Sequence, residues 1–377
     1  MLFLELLQIA LGNRERLSHA PSAKEWAEIY EESKRQAVTG ILLHGIDRLP
    51  AEQRPSQAFL LQWIGVGQMI EQRNRLMNGR CVELLRKLEN HGLQGAILKG
   101  QGIAKLYDGG GKKEKERDDR LSGLRQSGDI DVYVDCGLKG ALAFAKSLGQ
   151  DKIEWDYKHL HLKVWCDTEV EMHYRVEVLL NLRKNRKLQK WFMEHENEIF
   201  NLNDNVDLNL NTDKTDGTDW MVTPTVEFNV FYILLHIYRH FLYEGVGMRQ
   251  IVDYYMVLKN LDVNLNLNES YAYKGVREFG MEKFAKGLMW VMQEALGMPR
   301  EWMLWEPDKK EGEYILKQVM TGGNFGHYDE RLKHAGGKLG AVKAILTHNL
   351  HLLTHYPSDV IWAPVWIVWH KLWKMTR

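Results

Sequence analysis

Asp129 and Asp131 stand two residues apart in Ser127-Gly128-Asp129-Ile130-Asp131-Val132-Tyr133-Val134, a run whose apolar residues alternate. Alternation at period two predicts a β-strand with Asp129, Asp131 and Tyr133 on one face and Ile130, Val132 and Val134 turned toward a core. Two carboxylates held side by side suit hard divalent cations such as Mg²⁺, which take oxygen ligands and bridge to substrate phosphates. Metal-assisted phosphoryl or nucleotidyl transfer is the chemistry they point to. The same two residues would also serve a plain solvated strand face, so their meaning depends on their surroundings.

Upstream, Gly95-Ala96-Ile97-Leu98-Lys99-Gly100-Gln101-Gly102 is a short apolar strand that runs into glycines and then into a helix-forming stretch from Ile103. Such a turn offers backbone N–H groups to an anion, and Lys99 adds a cation at the same place. Downstream, His159–Trp165 and Thr168–Arg175 are alternating runs joined at Cys166-Asp167, which predicts a hairpin. In the second run Glu169, Glu171, His173 and Arg175 share a face, so a neighbouring strand can supply a third carboxylate. His173, two residues from Glu171, is expected to contact substrate or to orient that carboxylate rather than to ligate a metal. His236 and His240 have the i, i+4 spacing of a chelating pair but lack the H-E-x-x-H pattern, so ordinary helix-face histidines are expected there.

Leu98-Lys99-Gly100, Leu106-Tyr107, Arg125, Gly128-Asp129-Ile130-Asp131 and Val170-Glu171-Met172-His173-Tyr174 together resemble a bacterial family of uncharacterised nucleotidyltransferases, the NTP_transf_5 group, within the DNA polymerase β-like nucleotidyltransferase superfamily. The likeness continues through Phe231–His240 and Met248–Asp253 and covers roughly residues 20 to 260. It implies an α+β fold, a mixed sheet flanked by helices, in which Asp129, Asp131 and Glu171 bind two divalent ions, Mg²⁺ or Mn²⁺, and are catalytic. It also implies that Lys99, Gly100, Arg125, Ser127, Gly128 and His173 contact substrate, although the superfamily's usual Gly-Ser or Gly-Gly pair is here Lys99-Gly100. The function expected is transfer of NMP from an NTP to an unknown hydroxyl acceptor, which is a small molecule, a protein or RNA. The alternatives are a toxin-like transferase modifying RNA or protein and a non-catalytic nucleotide- or partner-binding protein that keeps the fold.

The elements that must position these residues follow from pattern breaks. Residues 1–92 read as an N-terminal helical region, 93–180 as the α/β core and 181–377 as a mainly helical region. Ser22 and Glu25 form a capping-box signature before the second helix, a long helix runs from about Ser56 to Asn90, and Lys139–Leu148 reads as a helix between the acid strand and the hairpin. The charged stretch 109–120 and the Asn-rich stretches 201–219 and 260–268 read as peripheral insertions. Trp362, Trp366, Trp369 and Trp373 recur at helical spacing beside Lys371, Lys374 and Arg377, a pattern for a core-facing helix or for one lying on a membrane surface.

With 377 residues, 45% of them hydrophobic, the chain can bury a sizeable core. Lys and Arg total 50, as do Asp and Glu, so the formal net charge is zero, which argues against a globally basic nucleic-acid binder, and DNA is not an expected partner. Three cysteines without C-x-x-C spacing, no basic leader before the apolar residues at Met1–Leu7 and no transmembrane-length apolar run lead to a cytoplasmic expectation.

Overall fold

The computed structural model describes residues 1–108, 121–201, 221–262, 266, 269–329 and 351–377. The charged stretch 109–120, residues 202–219 of the first Asn-rich stretch and most of 263–268 lie outside the described residues. The fold is mixed, with a four-stranded sheet flanked by helices, as expected. The chain forms two compact units, each assembled from three separate segments.

One unit comprises residues 75–103, 127–232 and 352–377 and contains the sheet. Its strands are β1 (Gly95–Ile97), β2 (Ile130–Val134), β3 (His159–Trp165) and β4 (Thr168–His173), in the order β1-β2-β4-β3. β1 runs antiparallel to β2, β2 parallel to β4, and β3 antiparallel to β4. The helix Gly137–Ser147 and strand β3 make the crossover that a parallel β2/β4 pair requires. Ile130, Val132 and Val134 of β2 and Val170 and Met172 of β4 form one core with Phe144 and Ala145 of that helix and with Met77, Cys81, Leu84 and Leu88 of the long helix Gln57–Glu89. Each fully buried Val, Ile or Leu stabilises by roughly 1.5–3 kcal/mol, so the pattern of β2 and β4 locks their faces. Trp366, Trp369 and Trp373 of the helix Trp362–Met375 close around Tyr157 with ring centroids 5.3, 5.0 and 4.9 Å away, so this stripe faces protein.

The other unit comprises residues 1–74, 104–126 and 233–351, and its regular elements among the described residues are helices. Ser22 caps the helix Ala23–Arg35 through the reciprocal box with Glu25. The helix Thr39–Arg48 was not anticipated, because Gly40 and Gly45 weaken the helical signal. Both glycines permit close approach: a Cβ at Gly40 would stand 2.1 Å from the Leu124 carbonyl oxygen, and one at Gly45 2.8 Å from that of Leu6. Among the described residues no helix is long and apolar enough to cross a membrane.

Candidate active site

β2 begins at Ile130, so Asp129 sits at the last position before the strand and Asp131 inside it. Asp131 is 1% exposed, which rules out the solvated strand face. In the parallel ladder Asp131 pairs with Glu171 and Tyr133 with His173, and across the hairpin His161 pairs with Glu171 and His159 with His173. Asp129, Asp131 and Glu171 offer carboxylate oxygens that all lie within 4.8 Å of one another.

The Lys99 turn is anchored to this strand. The Leu98 N–H donates to the Asp131 carbonyl at 3.0 Å, and Gly100 has φ +60°, a conformation that glycine adopts without steric cost. A Cβ at Gly102 would stand 2.5 Å from the Ile97 carbonyl oxygen, so the turn closes only around glycine. The helix after it is a single turn, Gln101–Ala104, too short to develop much dipole. Lys99 Nζ lies 3.0 Å from Asp131 Oδ1. Ser127 is half-buried and Gly128 exposed in the extended approach to β2.

His173 is fully buried, and its Nε2 stands 3.0 Å from Asp131 and 3.3 Å from Glu171. Burial opposes its charge, but the two carboxylates prevail and raise its pKa, so Nε2–H donates to both. Burial likewise works against ionised Glu171, and the hydrogen bond and charge of His173, followed by Lys99, overcome it and hold Glu171 far below the usual carboxylate range. For Asp131 burial is again outweighed, by Lys99 and His173, and the pKa is lowered. Asp129 behaves differently: the neighbouring charge of Asp131, followed by burial, raises it. Lys99 is held protonated against its own burial by Asp131, Asp129 and Glu171.

His159 was missed as a site residue. Its ring centroid lies 5.1 Å from that of His173 and its Nδ1 3.5 Å from Glu171. Burial and the charge of His173 push it down to about 4, so at neutral pH it faces Glu171 as a neutral imidazole and not as an ion-pair partner. The only signal for it was strand alternation, which sets His159 opposite to core residues Leu160 and Leu162. His159, Glu171 and His173 also bring ligand atoms within 4.8 Å of one another, but the Nε2–H of His173 is already committed to the two carboxylates.

Arg125 is held within the helical unit: its guanidinium forms a two-pronged pair with Asp253, Nε to Oδ1 and Nη2 to Oδ2, both 2.7 Å, and Tyr107 donates to the same carboxylate at 2.7 Å. His240 of the same unit pairs with Glu244 at 2.7 Å, which suits a helix-face histidine.

A four-stranded mixed sheet flanked by helices is consistent with the α+β fold of a nucleotidyltransferase. The chain belongs to the family described as uncharacterised nucleotidyltransferase, which matches residues 22–297. No curated protein and no solved structure matches it.

Proposed function

We propose that the protein transfers a nucleoside monophosphate from an NTP to a hydroxyl acceptor, with Asp129, Asp131 and Glu171 holding divalent Mg²⁺ or Mn²⁺. The observation that carries this reading is the all-oxygen cluster of three carboxylates within 4.8 Å. Their mutual repulsion, visible in the raised pKa of Asp129, is what a divalent cation relieves, and hard oxygen donors are the ligands such an ion prefers. When bound there, the ion supplies charge neutralisation for the phosphates of the donor.

The chain's own residues do the rest. Lys99, on a turn tied to β2, places a permanent cation beside the carboxylates, where donor phosphates would lie. Glu171, ionised at neutral pH, accepts a hydrogen bond from the acceptor hydroxyl and orients its oxygen. His173 keeps Asp131 and Glu171 at a fixed separation and in ionised form.

The 3.0 Å contact of Lys99 with Asp131 supports a second reading, a nucleotide-binding protein without transfer activity in which lysine replaces one ion. Two variants decide between them. Asp129→Asn should abolish the strengthening of NTP binding by Mg²⁺ in calorimetry. Glu171→Gln should bind Mg-NTP within a few-fold of wild type while transfer of labelled NMP to acceptors in cell extract falls roughly a hundredfold. Wild-type protein that binds Mg-NTP but transfers nothing, with Glu171→Gln identical to it, would establish the binding protein instead.

A further inference from the structure

The acid-bearing face of the sheet continues into a cavity of about 860 Å³. Tyr133, two residues beyond Asp131, and Arg175, two beyond His173, form its near wall, so it begins about 7 Å along the strands from the acid centre. Arg175 is held there by its Nη1, which donates to the Tyr157 carbonyl at 2.6 Å, and by the Tyr157 ring 4.0 Å beneath its guanidinium. The helix Leu182–Glu194 also lines the cavity and contributes Arg183, Arg186 and Lys187, and Trp369 adds an indole. Against these four cations the wall holds one acid, Asp135.

Arg175 is engaged by Tyr157, and the other three cations have no such partner among the described residues. Arg183, Arg186 and Lys187 are exposed and make no ion pair among the described residues. Their i, i+3, i+4 spacing sets like charges on one stripe, where they repel each other. They also crowd the first two turns of the helix, whose dipole disfavours cations. The helix is already capped, since the Asn181 side chain accepts from the N–H groups of Arg183 and Lys184 at 3.1 Å. An arrangement unfavourable for the helix and open to solvent is relieved by an anion. The volume matches a single small-molecule ligand, and phosphate is the anion that several arginines recognise best.

We infer that this cavity is the acceptor site and that the acceptor is a nucleotide, with its phosphate on Arg183, Arg186 and Lys187, its base against Trp369 and its free ribose hydroxyl toward Glu171. This rests on the nucleotidyl-transfer reading above. The hydroxyl oxygen bonds to the α-phosphorus of the donor as the bond from that phosphorus to the bridging oxygen of pyrophosphate breaks. The hydroxyl proton leaves with the pyrophosphate, so nucleotide and NTP give an extended nucleotide and pyrophosphate. A free nucleotide and the 3′-terminal nucleotide of an RNA share this chemistry.

The test is calorimetry in EDTA, where the carboxylate cluster repels phosphates and the cavity is read alone. The probes are the four ribonucleoside 5′-monophosphates, the matching nucleosides and a short single-stranded RNA. Wild type should bind at least one monophosphate ten or more times tighter than its nucleoside. The triple variant Arg183→Glu, Arg186→Glu, Lys187→Glu should lose at least tenfold of that affinity while binding Mg-NTP within a few-fold of wild type. The milder Arg183→Gln, Arg186→Gln, Lys187→Gln set should lose several-fold and guards against misfolding of the reversal. Tighter binding of RNA than of any monophosphate assigns the acceptor to RNA ends, and equal or weaker binding assigns it to free nucleotides. Absence of monophosphate binding by wild type in EDTA, or binding unchanged in both variants, overturns the assignment. Failure of wild type to bind Mg-NTP would instead count against nucleotidyl transfer, and the EDTA titration would still report on the cavity.

Discussion

Lys99 Nζ approaches Oδ1 of Asp131 at 3.0 Å, so a divalent cation held as proposed would compete with it for that oxygen. Three carboxylates meet the protonated Lys99 and the Nε2–H of His173, and the raised pKa of Asp129 marks it as the acid these two serve least. Removing the lysine therefore leaves a stronger electrostatic demand for a cation. Lys99→Met should bind Mg²⁺ roughly tenfold more tightly than wild type when nucleotide is absent, a change of about 1.4 kcal/mol, and should bind Mg-NTP more weakly. Calorimetric titrations with Mg²⁺ alone and with Mg-NTP measure the two effects, and an unchanged Mg²⁺ affinity would show that the lysine does not contest the site.

At the scale of elements, reciprocal local bonds hold the ends of helices while glycines allow backbones to meet. The Ser22 N–H and hydroxyl both donate to Glu25 Oε2 at 2.8 Å, and His19 Nε2 lies 2.9 Å from Glu25 Oε1. The Ser22 N–H first, then His19 and the Ser22 hydroxyl, lower Glu25 from 4.5 to about 2. Because the folded pKa lies below the unfolded one, this contribution to stability is complete above about pH 4.5 and is lost as the pH falls through about 2. Thermal unfolding followed from pH 6 to pH 3 should show wild type losing its advantage over Glu25→Gln toward the acid end. Two midpoint curves that stay parallel would refute the coupling.

On the scale of the whole molecule, each compact unit draws on three stretches of chain, and buried polar contacts hold those stretches in place. In the helical unit the Arg125–Asp253 pair, with Tyr107 on the same carboxylate, joins segments more than 120 residues apart. All three side chains are buried, so removing one partner leaves an unpaired charge away from water. Asp253→Asn should cost about 3–5 kcal/mol in urea unfolding, and Tyr107→Phe only about 1 kcal/mol, because the phenol surrenders one hydrogen bond and no charge. In the sheet unit the C-terminal tryptophans around Tyr157 do the corresponding work with apolar surface.

Local periodicity and capping chemistry determined much of this protein before any contact was known. Alternation placed Asp131, Glu171 and His173 on shared strand faces, the break at Cys166-Asp167 marked the hairpin, and Ser22 with Glu25 marked a helix start. These features depend on neighbours a few residues away, which is the range that a sequence pattern reports. Tertiary structure alone decided which partners meet. The parallel register that sets Asp131 against Glu171, the ion pair that draws Lys99 to Asp131, and the antiparallel register that delivers His159 to Glu171 and His173 all arise between distant segments. The helix Thr39–Arg48 belongs with them, because what tolerates its glycines is the Leu124 and Leu6 backbone pressed against them. Arg125 lies four residues before Asp129 in the chain, and its guanidinium pairs with Asp253, because a buried guanidinium takes the carboxylate that the fold brings to it, wherever that residue stands in the sequence.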